Sequence, residues 1–298
     1  MSERIILFKT LTKTTRFEGV ALNNGYKYFA VYAIASIPLN FVTKDLLYVA
    51  SPFSLTAIRF ATMAAFLLVL YKKRPKIGVF EATMGLFIYI STILWLLSLT
   101  LLTPGDSIVI SYSMPVIASL LGKILLKERA NLWGAIISMS GFILYSIPLS
   151  SGSTLRGSLI SFLNAFFWAA YSVLYRTRKE TDVIEENASI FSAVAAISVP
   201  LAIIDPTVKT GILEPRRVFD LFWFSVIGGV FQFLSWNKLI VYEGVEVATV
   251  SSYLVPISVL LIQSIYQHIP LELLQILGLS VAISGVFLSV MRTNKKFL

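Results

Sequence analysis

The sequence predicts an all-α membrane protein: ten transmembrane helices arranged as two inverted five-helix repeats. Three observations carry this. Of 298 residues, 56% are hydrophobic and only 14% are charged, whereas a soluble globular chain carries about 25% charged residues. The mean hydropathy is +0.79. So much apolar surface cannot be hidden in a water-soluble core. Second, the apolar residues fall into ten runs, most of them near the roughly 20 residues that a helix needs to cross a bilayer. Third, one pattern is written twice, as "SYSMP" at Ser111–Pro115 and "SYLVP" at Ser252–Pro256.

The ten runs lie near 28–48, 53–71, 79–102, 106–126, 130–148, 156–175, 187–204, 219–242, 247–267 and 271–291. In hydrocarbon every backbone N–H and C=O must be paired, and a helix does this within itself. The predicted organisation is a cytoplasmic N-terminal tail over 1–26, a first five-helix repeat over 27–148 and an external linker over 149–155. A second five-helix repeat follows over 156–291, then a cytoplasmic tail over 292–298. The basic tail resembles no cleavable leader; a helix lying on the membrane surface is its other reading.

Charge sets the orientation. The formal net charge of +9 comes from basic residues that cluster between apolar runs, so topology explains it better than nucleic acid does. With both termini in the cytoplasm, nineteen Lys and Arg fall inside, including "KKRPK" (Lys72–Lys76) and the basic residues of "RTRK" (Arg176–Lys179). Five fall outside, and Arg59 lies within the second run. This asymmetry predicts a multi-pass protein of the cell membrane with both termini cytoplasmic. The "NAS" at Asn187–Ser189 then faces the cytoplasm, where no glycosylation occurs.

The doubled pattern is part of a longer match. At an offset of 141 residues, Trp95 meets Trp236, Tyr112 meets Tyr253 and Pro115 meets Pro256. At an offset of 144, Gly134 meets Gly278 and Gly141 meets Gly285. Runs three to five therefore recur as runs eight to ten. Five is odd, so the second copy runs through the membrane upside down. Inverted repeats point to a secondary transporter with its site near the midplane.

At this point the chain resembles the EamA-type members of the drug/metabolite transporter superfamily. The resemblance spans 27–291. It rests on "SPFSLTAIRF" (Ser51–Phe60), "FFWAAYSVLYR" (Phe166–Arg176), "SYSMPVIASLLGKILLKER" (Ser111–Arg129), "YLVPISVLLIQSIY" and "LGLSVAISGVFL" (Leu277–Leu288). It implies a ten-helix, alternating-access carrier of small metabolites. The second Glu-Arg loop is replaced by "HIPLE" (His268–Glu272), and the first run carries Tyr32 and Ser36 where the family often has Trp.

Several residues are candidates for the work itself. Tyr32, Ser36 and Asn40 are spaced four apart, on one helix face. Asn164, Trp168 and Ser172 have the same spacing in run six. A buried amide in hydrocarbon needs a partner or a wet cavity, so Asn40 and Asn164 are candidate substrate ligands or interhelical bridges. Trp95, Trp168 and Trp236 lie deep in their runs, away from the interfacial belts. With Tyr112 and Tyr253 they complete the candidate substrate-binding set. Pro115 and Pro256 are candidate hinges. Arg59 is expected to anchor on Asp45 or Asp106, with a substrate carboxylate as the other reading. Gln232, Asn237 and Gln263 are weaker candidates.

The implied occupant is a small neutral or zwitterionic metabolite such as an amino acid, exported or exchanged. Proton coupling has few acids to run through, Asp106 and Asp45 being nearest. Other classes fare less well. The chain has no Cys and one His, His268, so thiol chemistry and His-based metal clusters are excluded. No metal, cofactor or phosphate-binding loop is expected. An intramembrane enzyme would need paired acids, a Ser–His pair or a metal, and none assembles. A channel or structural subunit is the remaining alternative. Expected partners are a small-molecule substrate and the lipid bilayer, without nucleic acid; a monomer and a homodimer both fit.

Overall fold

A computed structural model describes residues 25, 27–72, 75–127, 132–149, 152–178, 182–243, 245, 248 and 252–293. Nearly all of the tail read over 1–26, residues 150–151 of the linker and the end of the C-terminal tail lie outside these. The described chain is mostly helical, with turns and loops between the helices and one isolated bridge between Ala50 and Val208. Six helical stretches are long and apolar enough to cross a membrane: Pro52–Leu70, Val79–Leu101, Pro104–Leu126, Thr154–Tyr175, Val183–Ile204 and Pro215–Tyr242. Shorter apolar helices occupy Ile136–Leu149, Leu254–Tyr266 and Leu273–Gly285.

In chain order α1 covers 27–46. Then come α2 (Pro52–Tyr71), α3 (Val79–Leu101), α4 (Pro104–Ser111), α5 (Met114–Leu126) and α6 (Leu132–Ser146). The rest are α7 (Gly152–Tyr175), α8 (Val183–Leu201), α9 (Pro215–Phe222), α10 (Gln232–Glu243), α11 (Leu254–Tyr266) and α12 (Leu273–Thr293). α7 starts inside the segment read as linker.

Local chemistry fixes the ends. Ser51 caps α2 by accepting from the Ser54 N–H at 3.1 Å, with Pro52 at the first helical position. Thr103 caps α4 in the same way, accepting from the Asp106 N–H at 3.1 Å ahead of Pro104. Asp182 caps α8, and Glu81 reaches back to the Gly78 N–H at the start of α3. These side chains satisfy helix donors that have no partner within the helix.

Two helices depart from a straight rod. α4 stops at Tyr112–Ser113 and α5 resumes at Met114. Pro115 is the second residue of α5 and Pro256 the third of α11. Helix donors at these positions have no intrahelical acceptor, so neither proline removes a bond from its own helix. A turn precedes each proline, at Tyr112–Ser113 and at Ser252–Tyr253. The second departure is a nine-residue π-helix, Trp223–Phe231, joining α9 to α10. The Gln232 N–H there reaches the carbonyl of Ile227, five residues back.

Packing brings α2 against α8, α3 against α7, α4 against α11 and α6 against α12. The α6–α12 contact is a backbone contact. A Cβ on Gly141 would collide with the backbone of Ala282, and one on Gly285 with the backbone of Ser138. Small residues permit such approach where lipid offers no hydrophobic drive for association. Ser138 Oγ donates to the Ala282 carbonyl across the same contact at 3.0 Å.

Charges gather at the two ends. At one end Arg178 pairs with Glu81 at 3.1 Å and Lys76 with Glu185 at 3.4 Å. At the other, Arg216 pairs with Asp45 at 2.6 Å. There the chain before α2 runs beside 207–209, the Ser51 N–H donating to the Thr207 carbonyl at 3.0 Å.

Candidate functional site

A cavity of about 110 Å³ lies among α1, α2, α3, α4, α5, α7 and α10. This is roomy enough for several waters or a small organic solute. Five of the seven candidate ligands from the sequence border it: Asn40, Trp95, Tyr112, Asn164 and Trp168. Trp236 and Tyr253 stand in the layer behind. Trp236 is fully buried, 5.1 Å from Tyr32 and 6.4 Å from Trp168 between ring centres, and its Nε1 donates to Ser172 Oγ. Tyr253 donates its hydroxyl to the Tyr112 carbonyl at 2.8 Å, with the two rings edge to face at 5.6 Å.

The two amides differ. Asn164 is engaged at both ends: Oδ1 accepts from Ser91 Oγ at 2.6 Å, and Nδ2 donates to Ser111 Oγ at 2.9 Å. It ties α7 to α3 and α4 while facing the cavity. Asn40 accepts from Trp95 Nε1 at 3.0 Å, which leaves its NH2 group for an occupant. Gln232 donates to Ser36 Oγ at 3.0 Å, which leaves its oxygen as an acceptor. Gln232 was a weak candidate in the sequence and is a wall residue here.

Arg59 departs from the sequence expectation. It is 1% exposed, and no carboxylate among the described residues pairs with it. Its Nη1 donates to the Phe224 carbonyl and its Nη2 to the Gly228 carbonyl, both at 2.6 Å. These acceptors belong to the π-helix. The expected anchors are committed elsewhere, Asp45 to Arg216 and Asp106 to three side chains. Tyr145 and Gln275 donate to Asp106 Oδ1 at 2.9 and 3.2 Å, and Thr103 to Oδ2 at 2.7 Å. Asp106 therefore knots α4, α6 and α12 together. Gln263 accepts from the Gly105 N–H at 2.7 Å, joining α11 to α4. Asn237 belongs to a separate buried group with Tyr171 and Asn187.

The two sides of the cavity are unlike. Toward the Lys76 end lie aromatic pairs: the Tyr32 and Tyr112 hydroxyls meet at 3.0 Å, and beyond them Tyr28 stacks on Tyr242 at 5.8 Å. Toward the Asp45 end, one helical turn separates Asn40 from Lys44, which borders a vestibule of about 600 Å³. Lys44 Nζ donates there to the carbonyls of Leu99 and Leu102, at the end of α3.

Sequence reading missed Ser91, Thr92, Met114 and Phe233 in the wall. Ser91 lies one turn before Trp95, and that spacing was a usable signal. Met114 and Phe233 resemble any other apolar residue in a span.

Helices of membrane-spanning length around a cavity lined by polar and aromatic side chains define a multi-pass membrane protein. The chain belongs to the EamA-like transporter family, whose model matches residues 25–147 and 155–291. It is thus a membrane transporter. It is 33% identical over 176 residues to an "Uncharacterized transporter in sor 3'region" of Acidianus ambivalens, covering 58% of this chain and 68% of that one. It is 22% identical over 179 residues to an "Uncharacterized transporter" of Archaeoglobus fulgidus, covering 57% of this chain and 62% of that one. A crystal structure with 18% identity shares the fold at a TM-score of 0.66, over 93% of this chain and 99% of that one.

Proposed function

We propose that the protein is a secondary carrier working by alternating access, moving a small neutral or zwitterionic solute such as an amino acid across the cell membrane. Export or exchange is the favoured direction. Its framework is ten helices in two inverted five-helix repeats. The observation that carries this reading is the central cavity, with aromatic pairs on one side of it and a vestibule one helical turn away on the other. A channel would need a continuous path, whereas a carrier needs a site with unequal barriers.

Packing supports the repeat. Runs two, four and five lie against their own equivalents, seven, nine and ten, through α2–α8, α4–α11 and α6–α12. The contacts of Gly141 with Ala282 and of Gly285 with Ser138 exchange places under the offset of 144. Tyr112 and Tyr253, related by the offset of 141, touch each other. Such reciprocity is what a pseudo-two-fold axis produces.

The test is uptake into proteoliposomes of the purified protein, screened with radiolabelled amino acids and other small metabolites. A carrier gives saturable uptake that accelerates when unlabelled solute is preloaded on the far side. Trp168→Ala and Asn164→Ala are expected to cut uptake tenfold or more at unchanged protein abundance. Flux that never saturates would sink the carrier reading.

A further inference from the structure

We propose that the central cavity takes its solute by a carboxylate, with Arg59 as the counter-charge. This rests on that cavity being the solute site; it keeps the amino acids of the class proposed above, drops neutral solutes that lack a carboxylate and adds simple organic acids.

Among the described residues of the wall, Arg59 is the single charged group. It is almost wholly buried against the rings of Phe224 and Trp95, whose centres lie 4.5 and 5.6 Å from its Cζ. Its protein partners are carbonyls, and its Nε has none. Each terminal nitrogen keeps a second N–H, since a guanidinium has five donors. The nearby acids are spoken for: Asp45 pairs with Arg216 and Asp106 with Tyr145. Asp220, one turn before Phe224, makes no ion pair with Arg59.

A full charge in a low-dielectric interior is costly unless a partner offsets it. Two carbonyl dipoles and two ring faces offset part of this one, and no described residue supplies an anion. An entering carboxylate completes the pair, and a guanidinium fork matches its two oxygens. One cation in a small aromatic space balances one carboxylate and leaves a dianionic phosphate half-compensated. The same field repels ammonium groups that arrive without a carboxylate. Asn40, joined to Arg59 through Trp95, adds its NH2 group to the donors on that wall.

The test uses matched probes and the purified full chain in detergent. Phenylacetate, phenylacetamide and phenethylamine share one body, and hexanoate, hexanamide and hexylamine share another. Binding is measured by titration calorimetry. In wild type the carboxylates are expected to bind at least tenfold more tightly than their amides and amines. Arg59→Met risks unfolding, because two buried carbonyls lose their donors. The decisive variant is Asn40→Asp, which keeps the side-chain shape and can still accept from Trp95 while placing an acid on the same cavity wall as Arg59. It is expected to erase the preference for carboxylates and favour the amines. Equal binding of the three probe classes in wild type, no carboxylate binding, or an unaltered preference in Asn40→Asp would each overturn the proposal. Arg59 would then serve only to hold the π-helix. Saturable transport of amides or amines without carboxylate preference would overturn it and leave the carrier reading standing. Tight carboxylate binding without saturable flux would do the reverse.

Discussion

Gly141 shows how much one hydrogen atom decides. Its missing Cβ is what lets α6 lie on the backbone of Ala282. A larger side chain must push the helices apart, and overpacking of this kind costs about 1–3 kcal/mol, more where backbone is the obstacle. Gly141→Val is therefore expected to lower the melting temperature of the purified protein by several degrees. The same substitution at Gly152, which has open space around the position a Cβ would take but a φ of +48°, is expected to cost less and through backbone strain alone. Thermal melts of both variants check the order. The glycine pairs were readable in the sequence, because they recur across the two halves at an offset of 144. The partners of Arg59 were not. A backbone acceptor leaves no mark in a sequence, so reading side chains alone pointed to Asp45 or Asp106.

Among the helices, the break between α4 and α5 is the informative one. Pro115 has no N–H to offer the Ser111 carbonyl, so α4 cannot run straight on through Tyr112. The turn at Tyr112–Ser113 brings the Tyr112 ring to the cavity wall and its carbonyl to Tyr253. Pro115→Ala restores the donor and favours a continuous helix. The expected result is slower transport, by about threefold or more, with solute affinity changed less than twofold, because gating and binding are separate steps. Initial rates and counterflow half-saturation check this, and a parallel loss of both would point to a distorted site instead. The spans themselves were largely legible, since apolar runs and Ser-Pro or Thr-Pro caps mark their starts. The π-helix was not. Gly228-Gly229 announces close packing, against Leu39 and Met63 here, but says nothing about the hydrogen-bond register of the turn around it.

Across the membrane, the ends carry different chemistry, and orientation follows from which faces the cytoplasm. Lys76 and Lys209 lie at opposite ends by their partners, Glu185 for one and the Tyr48 carbonyl for the other. With no native cysteine in the chain, single replacements report cleanly. Lys209→Cys is expected to react with a membrane-impermeant maleimide in intact cells, and Lys76→Cys only after permeabilisation. The opposite pattern would invert the topology. Charge asymmetry made this expectation readable from sequence. Which side of the cavity carries the aromatic pairs was not readable, because it depends on how rings from distant helices meet.

The reciprocal contact between α6 and α12 has the form of an isologous interface, in which one patch meets its own copy. Two separate half-length chains would build such a contact as a homodimer. Within one chain, the connection near residue 150 then supplies chiefly proximity, raising the effective concentration of one half near the other. Residues 1–150 and 151–298, expressed as separate polypeptides in one membrane, are expected to find each other and co-purify, and Gly141→Val is expected to weaken that recovery. The covalent link would then be a convenience of assembly, with shape recognition between the halves left to the glycine seam.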